Sequence, residues 1–322
     1  FYNNMILITG CAGFIGFHLS KKLLEKKIQV VGIDSINDYY SKNLKLKRLN
    51  LLKKYKNFLF GKIDLKNYEK TYKFLKYKKI KQIIHLAAQP GVRISLAKPY
   101  NTLNQNLNTF INILEITRIK KIKKFIYASS SSIYGNTKLY PFNELDLKNS
   151  PVSVYGATKL SNEIIAESYS RNFRMKCVGL RFFTVYGPYG RPDMAYYDFS
   201  NKLKNNKKIF VFNKGKMLRD FTYIDDVIKG ILNVMTKNFK DNHEVINIGK
   251  GKPDNLMDMV KHLEKNYKKK FRIKFTNNIP VGDMKKTYSN VNKAKRLINW
   301  NPKTTLKTGL EKFAIWFKKH ND

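Results

Sequence analysis

The stretch Ile6-Leu7-Ile8-Thr9-Gly10-Cys11-Ala12-Gly13-Phe14-Ile15-Gly16 decides the fold. Ile6 to Thr9 is an apolar run short enough for one buried strand, and Phe14 to Lys26 carries helical periodicity. Between and into them run glycines three residues apart, Gly10, Gly13 and Gly16. Glycine permits the tight turn and lets the backbone approach a pyrophosphate. The helix that follows offers free N–H groups and positive partial charge to that anion. A glycine triplet alone says little, but between a first strand and a first helix it points to a dinucleotide site. Asp34 ends the second apolar run, 18 residues after Gly16. A carboxylate there binds both hydroxyls of an adenosine ribose and repels a 2′-phosphate, so NAD is expected rather than NADP. Asp64 and Leu65 follow the third run and are placed to hold the adenine edge.

The alternation continues outward. Val30–Ile33, Phe58–Ile63, Ile83–Leu86, Phe125–Ala128 and Cys177–Phe182 read as strands. Helical patterns lie between them: a polar one from about Ser41 to Lys54, then Asn104–Thr117 and Tyr155–Arg171. Strands alternating with helices imply an α/β fold whose parallel sheet is covered on both faces. Beyond about residue 182 the pattern loosens, and Gly, Pro and aromatic residues gather from Tyr186 to Tyr197. That predicts a smaller, loop-rich second domain packed against the first around a cleft. No internal repeat stands out.

With 322 residues, 43% hydrophobic and 13% aromatic, the chain can bury a core and is not a disordered polymer. No apolar run reaches the roughly 18 residues that a membrane span requires. The four residues before Met5 read as an irregular start, and the first strand follows at once, so no secretory leader is expected. Two cysteines, Cys11 and Cys177, are too few for a disulfide framework or a zinc site. They are expected as reduced thiols of a cytoplasmic protein, and no metal is expected. Lys+Arg 63 against Asp+Glu 23 gives a net charge of +40, which alone suggests a nucleic-acid partner. Only 10 of the 63 are arginine, the residue whose planar fork reads phosphates and bases. The lysines are scattered over strand flanks and helix ends. The excess is therefore read as coding bias on solvated faces, with no nucleic acid bound, although a positive field attracts an anionic substrate.

Two further segments carry chemistry. Tyr155 and Lys159, in Tyr155-Gly156-Ala157-Thr158-Lys159, lie one helical turn apart on one face. A phenol with a pKa near ~10 is a poor base at neutral pH. A neighbouring ammonium and a positive nicotinamide ring favour the phenolate, which can take a hydroxyl proton as hydride leaves the same carbon. The run Ala128-Ser129-Ser130-Ser131-Ser132-Ile133-Tyr134-Gly135 follows the fifth strand, at the sheet end where ligands bind. A serine hydroxyl there can bridge the substrate hydroxyl and the phenol.

Three more motifs complete a series that runs in order over nearly the whole chain. They are His85-Leu86-Ala87-Ala88-Gln89, Arg181-Phe182-Phe183-Thr184-Val185-Tyr186-Gly187-Pro188 and Arg219-Asp220-Phe221-Thr222-Tyr223-Ile224-Asp225-Asp226. The chain resembles the extended short-chain dehydrogenase/reductases, in particular their NAD-dependent sugar-nucleotide epimerases and dehydratases. The resemblance implies a doubly wound parallel Rossmann sheet over residues 1–180, with 222–250 returning to it. A smaller C-terminal α/β domain for the nucleotide sugar would then comprise 181–221 and 251–322. Ser130, Tyr155 and Lys159 are implied as the catalytic set. Ser130 is chosen because it stands four residues before Tyr134, with Ser129 and Ser131 as near alternatives. Cofactor contacts are implied for Gly10, Gly13, Phe14, Ile15, Gly16, Asp34, Asp64, Leu65, Leu86, Ala87, Ala88 and Asn106, besides Tyr155 and Lys159. A homodimer through the helix that carries Tyr155 is implied too, as is a place in sugar supply for capsule or lipopolysaccharide.

The serine loop separates reaction types. Dehydratases of this group carry an Asp-Glu or Ser-Glu pair where this chain has Ser131-Ser132, and nucleotide-glucuronate decarboxylases usually carry a glutamate at the position of Ser132. Serines supply no comparable acid and base. That leaves epimerisation at C-4 through a transient 4-keto sugar. The segments around Gly91-Val92-Arg93 and from Thr184 to Met194 resemble the nucleotide-hexuronate 4-epimerases. By that likeness Arg191 and Thr184 hold a C-6 carboxylate, and Arg93 is a second candidate. Ser130 and Ser131 would meet the sugar, Arg219 the diphosphate and Asp283 a ribose. Pro280 stands where many hexose epimerases have an arginine, which leaves open which cation completes the diphosphate site. The implied activity is interconversion of UDP-glucuronate and UDP-galacturonate. The alternatives are a UDP-glucose or UDP-N-acetylglucosamine 4-epimerase, a dehydratase or decarboxylase, and a nucleic-acid-binding relative without catalysis.

Overall fold

The computed structural model describes residues 5–146 and 150–320, so the irregular start expected over residues 1–4 lies outside the described residues. Seven strands form the main sheet: β1 (Met5–Thr9), β2 (Val30–Asp34), β3 (Phe58–Lys62), β4 (Ile80–His85), β5 (Lys124–Ser130), β6 (Lys176–Phe182) and β7 (His243–Ile248). Their order is β3-β2-β1-β4-β5-β6-β7, and every neighbouring pair is parallel. The chain winds outward to one side from β1 and to the other from β4. The connections therefore diverge between these two strands, and the crevice at their carboxyl ends is where such sheets take ligands.

β1 is buried along its whole length, as a strand covered on both faces must be. Ile6 and Ile8 pack in one layer with Phe17 and Leu24 of α1 (Phe14–Glu25), Leu52 of α2 (Lys42–Lys53) and Val227 of α5 (Ile224–Thr236). Met5 and Leu7 pack in the other with Phe110 and Ile113 of α3 (Thr109–Ile119) and Ala166 of α4 (Val154–Phe173). Successive strand residues point to opposite faces, so one pentapeptide serves both cores.

Three local differences matter for the site. β4 begins at Ile80 rather than Ile83: Lys81 and Gln82 interrupt the apolar run, and the pairing with β1 continues across a one-residue register shift at Lys81. β5 extends through Ser129 and Ser130, which pair with Arg181 and Phe182 of β6. The helix expected from Asn104 opens as a π-helical turn over Asn104–Asn108 before α3 starts.

Beyond Phe182 the chain is more regular than its pattern suggests. Helices Ala195–Lys204, Leu256–Tyr267 and Leu306–His320 bury Leu203, Leu263 and Phe313 in one shared core. Lysines on their outer faces blunt the apolar signal, which is why this region reads as loop-rich. Thr184–Tyr186 pairs in parallel with Phe221–Tyr223, and these segments bring Thr184 and Arg219 to the cleft. Among the described residues no helix is long and apolar enough to cross a membrane.

Candidate active site

The glycine turn is built as the phosphate reading requires. Gly10 has a φ of 70°, and a Cβ on it would stand 2.9 Å from the Ala87 nitrogen. A Cβ on Gly16 would stand 2.1 Å from the Gly10 carbonyl oxygen, so the turn closes only with glycine there. α1 starts after Gly13 with no side chain capping its N–H groups. Asp34 accepts from Ala12 N at 3.0 Å and Ile36 N at 2.9 Å, which aligns its carboxylate beside the turn. A cleft of about 950 Å³ opens from this point, large enough for an extended ligand. Gly10, Gly13, Phe14, Ile15, Gly16, Asp34, Leu65, Leu86, Ala87 and Ala88 all line it. Cramped glycines, an uncapped helix start and a ribose-directed acid fit a dinucleotide.

Two residues expected as cofactor contacts do not line the cleft. Asp64 is exposed and turns back on its own loop, accepting from Lys66 N at 3.0 Å and facing Lys66 Nζ at 3.5 Å. Leu65, its neighbour, is the one that reaches the cleft wall. Asn106 is buried, and its amide is already used: Oδ1 accepts from Gln89 N at 2.7 Å, while Nδ2 donates to Gln89 O at 3.2 Å and Thr158 Oγ1 at 3.1 Å. It fastens the loop after β4 to α4, and the π-helical turn is what swings it there.

At the other end of β5 the structure separates the serines. Ser129 also borders the cleft, but its hydroxyl donates to Glu163, which forms a buried bidentate pair with Arg181. Ser130 lines the cleft and hydrogen-bonds with the Tyr155 hydroxyl. Ser131 lines the same wall. α4 starts at a Ser153 cap, whose Oγ accepts from Gly156 N at 3.1 Å, and so presents Tyr155 in its first turn. Burial raises the phenol pKa, opposed by the hydrogen bond with Ser130 and by the positive charge of Arg191. Lys159 Nζ donates to Ala128 O at 3.0 Å and lies 5.9 Å from the Tyr155 ring centroid. Burial lowers its pKa to about 8. Two cations thus stand near the phenol, Lys159 one helical turn along and Arg191 from the opposite wall of the cleft.

Arg191 is only 21% exposed and grips Asp193 with one edge of its fork, Nε to Oδ1 at 3.0 Å and Nη2 to Oδ2. Tyr39, from the loop after β2, donates to the same Asp193 Oδ2 at 3.0 Å. Thr184 lines the cleft with them. Arg93 lies elsewhere, paired with Asp283 at 3.0 Å. Arg219 is close enough to both for their charges to act on it, and burial lowers its pKa. Arg93, Arg219 and Asp283 therefore form one group, apart from the Arg191–Asp193 pair. Sequence reasoning missed Tyr39, Asp193 and Arg48. Arg48 is fully buried and donates to Ala12 O at 2.9 Å, Tyr189 O at 2.6 Å and Gly190 O at 2.9 Å, tying the glycine turn to the loop that carries Arg191. Its scarcity was a usable signal, since arginines are few among the cations of this chain.

Comparison with known proteins agrees with this geometry. The chain is 39% identical over 331 residues to UDP-glucuronate 4-epimerase 4 of Arabidopsis thaliana, covering 97% of this chain and 75% of that one. It is 38% identical over 316 residues to the UDP-glucuronate 4-epimerase of Thermodesulfobacterium geofontis, covering 98% and 96%. Among solved structures, the UDP-glucuronic acid 4-epimerase of Bacillus cereus in complex with UDP-glucuronic acid and NAD superposes with a TM-score of 0.90 at 36% identity. The overlap covers 98% of this chain and 99% of that one. A family model matches residues 6–249, from the first strand to just past the last strand of the sheet. On that match, and on the glycine turn, serine loop and Tyr155–Lys159 helix that it spans, the chain belongs to the NAD dependent epimerase/dehydratase family.

Proposed function

We propose that the protein interconverts UDP-glucuronate and UDP-galacturonate, oxidising C-4 of the sugar to a ketone and reducing it from the opposite face. The observation that carries this reading is the position of Arg191. Its guanidinium lines the same cleft as the Tyr155 hydroxyl, so a carboxylate beside the reacting carbon has a cation to meet. The serine loop supports it from the other side, since Ser131 and Ser132 bring no acid–base pair for elimination.

Bound NAD supplies the acceptor and donor of the C-4 hydride. The turn of Gly10, Gly13 and Gly16 would hold its pyrophosphate at the start of α1, and Asp34 would hold its adenosine ribose. Tyr155 takes the C-4 hydroxyl proton and later returns it. Ser130 hydrogen-bonds to Tyr155, which lowers the pKa of the phenol and orients it. Lys159 is pinned by Ala128 O and keeps the base of the cleft polar. Thr184 and the free edge of Arg191 hold the carboxylate. Arg93 and Arg219, gathered by Asp283, are the cations for the diphosphate, the place that Pro280 leaves open. Because hydride is taken and returned, the reaction has no net redox change.

The test uses the purified protein without added NAD, given UDP-glucuronate or UDP-glucose, with products resolved by anion-exchange chromatography. Formation of UDP-galacturonate from the first substrate alone is expected. Turnover of UDP-glucose would give Arg191 another role, and formation of a UDP-pentose would make the protein a decarboxylase. Tyr155→Phe is expected to lower turnover by roughly 10²–10⁴-fold, the worth of a positioned general base.

Two copies of the chain are proposed to pair through α3 and α4, whose outer faces leave Ile111, Ile164 and Phe173 exposed. A single monomeric species in sedimentation would overturn that. The buried, unpaired Cys11 and Cys177 support a reducing, cytoplasmic location.

A further inference from the structure

The loop that brings Arg191 to the cleft also brings a carboxylate of its own. Asp193 takes one edge of the Arg191 fork through Nε and Nη2, while Tyr39 donates to it from across the cleft. Asp193 takes Nε and Nη2 of Arg191, which leaves the Nη1 edge of the fork to face a ligand in the cleft. Arg191 therefore meets an incoming hexuronate as half of a neutral pair, not as a bare cation.

Epimerisation at C-4 makes an unusual demand on such a contact. Hydride leaves one face of the sugar and must return to the other, so the ring turns over while the nucleotide stays bound. The C-6 carboxylate has to leave Arg191 and later find a partner again. A bidentate guanidinium–carboxylate pair in a closed cleft is strong and short-ranged. A bare cation would hold the starting sugar tightly and stand uncompensated in mid-turn, raising the barrier on both counts. Binding that stabilises the resting complex more than the turning one lowers KM and kcat together.

We propose that Asp193 is a positioning residue, a resident carboxylate that keeps one edge of Arg191 occupied so that the substrate carboxylate can let go and rebind while the 4-keto sugar turns over. The inference rests on the proposed hexuronate reading and deepens it. Tyr39 anchors Asp193 from the loop after β2, so the resident pair survives when the substrate carboxylate departs. Arg191 in turn holds the Asp193 carboxyl below its ordinary pKa despite burial, which keeps it ionised through the neutral range.

The test is steady-state kinetics of Asp193→Asn with UDP-glucuronate, beside the wild type. Asparagine has nearly the same shape, and its Oδ1 still accepts from Arg191, but the charge is gone. KM and kcat are both expected to fall, each by roughly 5- to 10-fold, the difference between a neutral and a charge-assisted hydrogen bond. Absorbance of the reduced cofactor during turnover is expected to rise, because the ketone waits longer before reduction. Affinity for UDP is expected to stay unchanged, which shows an intact cleft, and Asp193→Ser is expected to move all readouts in the same direction. A merely structural role predicts the reverse pattern, with KM rising and no gain in reduced cofactor. An active wild type with KM raised or unchanged in both variants would overturn the inference while leaving the hexuronate reading in place. A wild type inactive on UDP-glucuronate would overturn that reading and the inference with it.

Discussion

Lys159 is a fully buried ammonium held by one neutral acceptor, the Ala128 carbonyl, and its pKa falls from an ordinary 10.5 to about 8. A shift of that size corresponds to about 3 kcal/mol of lost stability while the group is charged. The sign follows from proton binding. Between about 8 and 10.5 the unfolded chain still holds the proton that the folded chain has released, so the contribution of this residue to stability rises with pH across that window. Below about 8 the contribution is at its least favourable. Lys159→Met keeps the volume and removes the charge. It is expected to be more stable than the wild type at neutral pH by up to about 3 kcal/mol, less the hydrogen bond to Ala128, while losing turnover. That advantage should shrink towards zero as pH approaches the ordinary lysine value. Urea unfolding midpoints of both proteins at several pH values check it, and an offset that does not change with pH would contradict the assignment. Other titrating groups cancel in the difference between the two curves.

Three strands and one helix meet behind the serine loop, through side chains of opposite charge. Arg181 of β6 donates to Glu163 of α4 at 3.0 and 2.8 Å and to the Tyr134 hydroxyl at 2.8 Å, and Tyr134 donates to Asn247 of β7 at 2.7 Å. Ser129 of β5 joins at Glu163. The pair is 4% and 6% exposed, so removing one partner strands the other in a dry site. Arg181→Met is expected to cost about 3–5 kcal/mol, and the double variant Arg181→Met with Glu163→Leu to recover most of it. The recovered protein is expected to turn over poorly, because Ser129 loses the anchor that sets the strand end carrying Ser130. Equilibrium unfolding of the single and double variants, with activity measured on both, checks the two halves. The same elements show what was legible in the sequence. The succession of the first six strands along the chain, the glycine turn and the Tyr155–Lys159 spacing follow from local pattern. The inward role of α2 does not. Leu44, Lys45, Arg48, Leu49 and Leu52 form its buried stripe, and the two basic residues within it make the helix read as polar. Asp193 and Tyr39 were equally hidden. Each acts through a partner 154 residues away or two residues along a loop, and neither relation has a periodicity to detect. The strand also narrows the choice among the serines, since it spends the Ser129 hydroxyl on Glu163, while Ser130 and Ser131 line the cleft.

Across the whole molecule the dominant quantity is the charge of +40. With 63 basic and 23 acidic residues, most lysines have no carboxylate to pair with, and the folded chain concentrates their repulsion. Screening relieves it. From about 0.01 M to about 1 M salt the screening length falls from about 30 Å to about 3 Å. Folding stability should therefore rise over that range, and roughly 1 kcal/mol of relieved repulsion moves the melting temperature by about 1–2 °C in a chain of this size. Sodium chloride is the salt to use, since sulfate and phosphate strengthen apolar burial by themselves. The same field draws anions towards the cleft, so capture of substrate should respond with the opposite sign. The kcat/KM for UDP-glucuronate should fall as salt rises, because a screened field steers its negative charges less. Thermal melts and kcat/KM along one chloride series test both arms. Opposite slopes are expected if the lysines act as a global field. A flat melting temperature with falling kcat/KM would place the effect in the cleft cations Arg93, Arg191 and Arg219 alone. Rising stability with unchanged kcat/KM would leave the surface lysines a burden on folding with no part in catalysis.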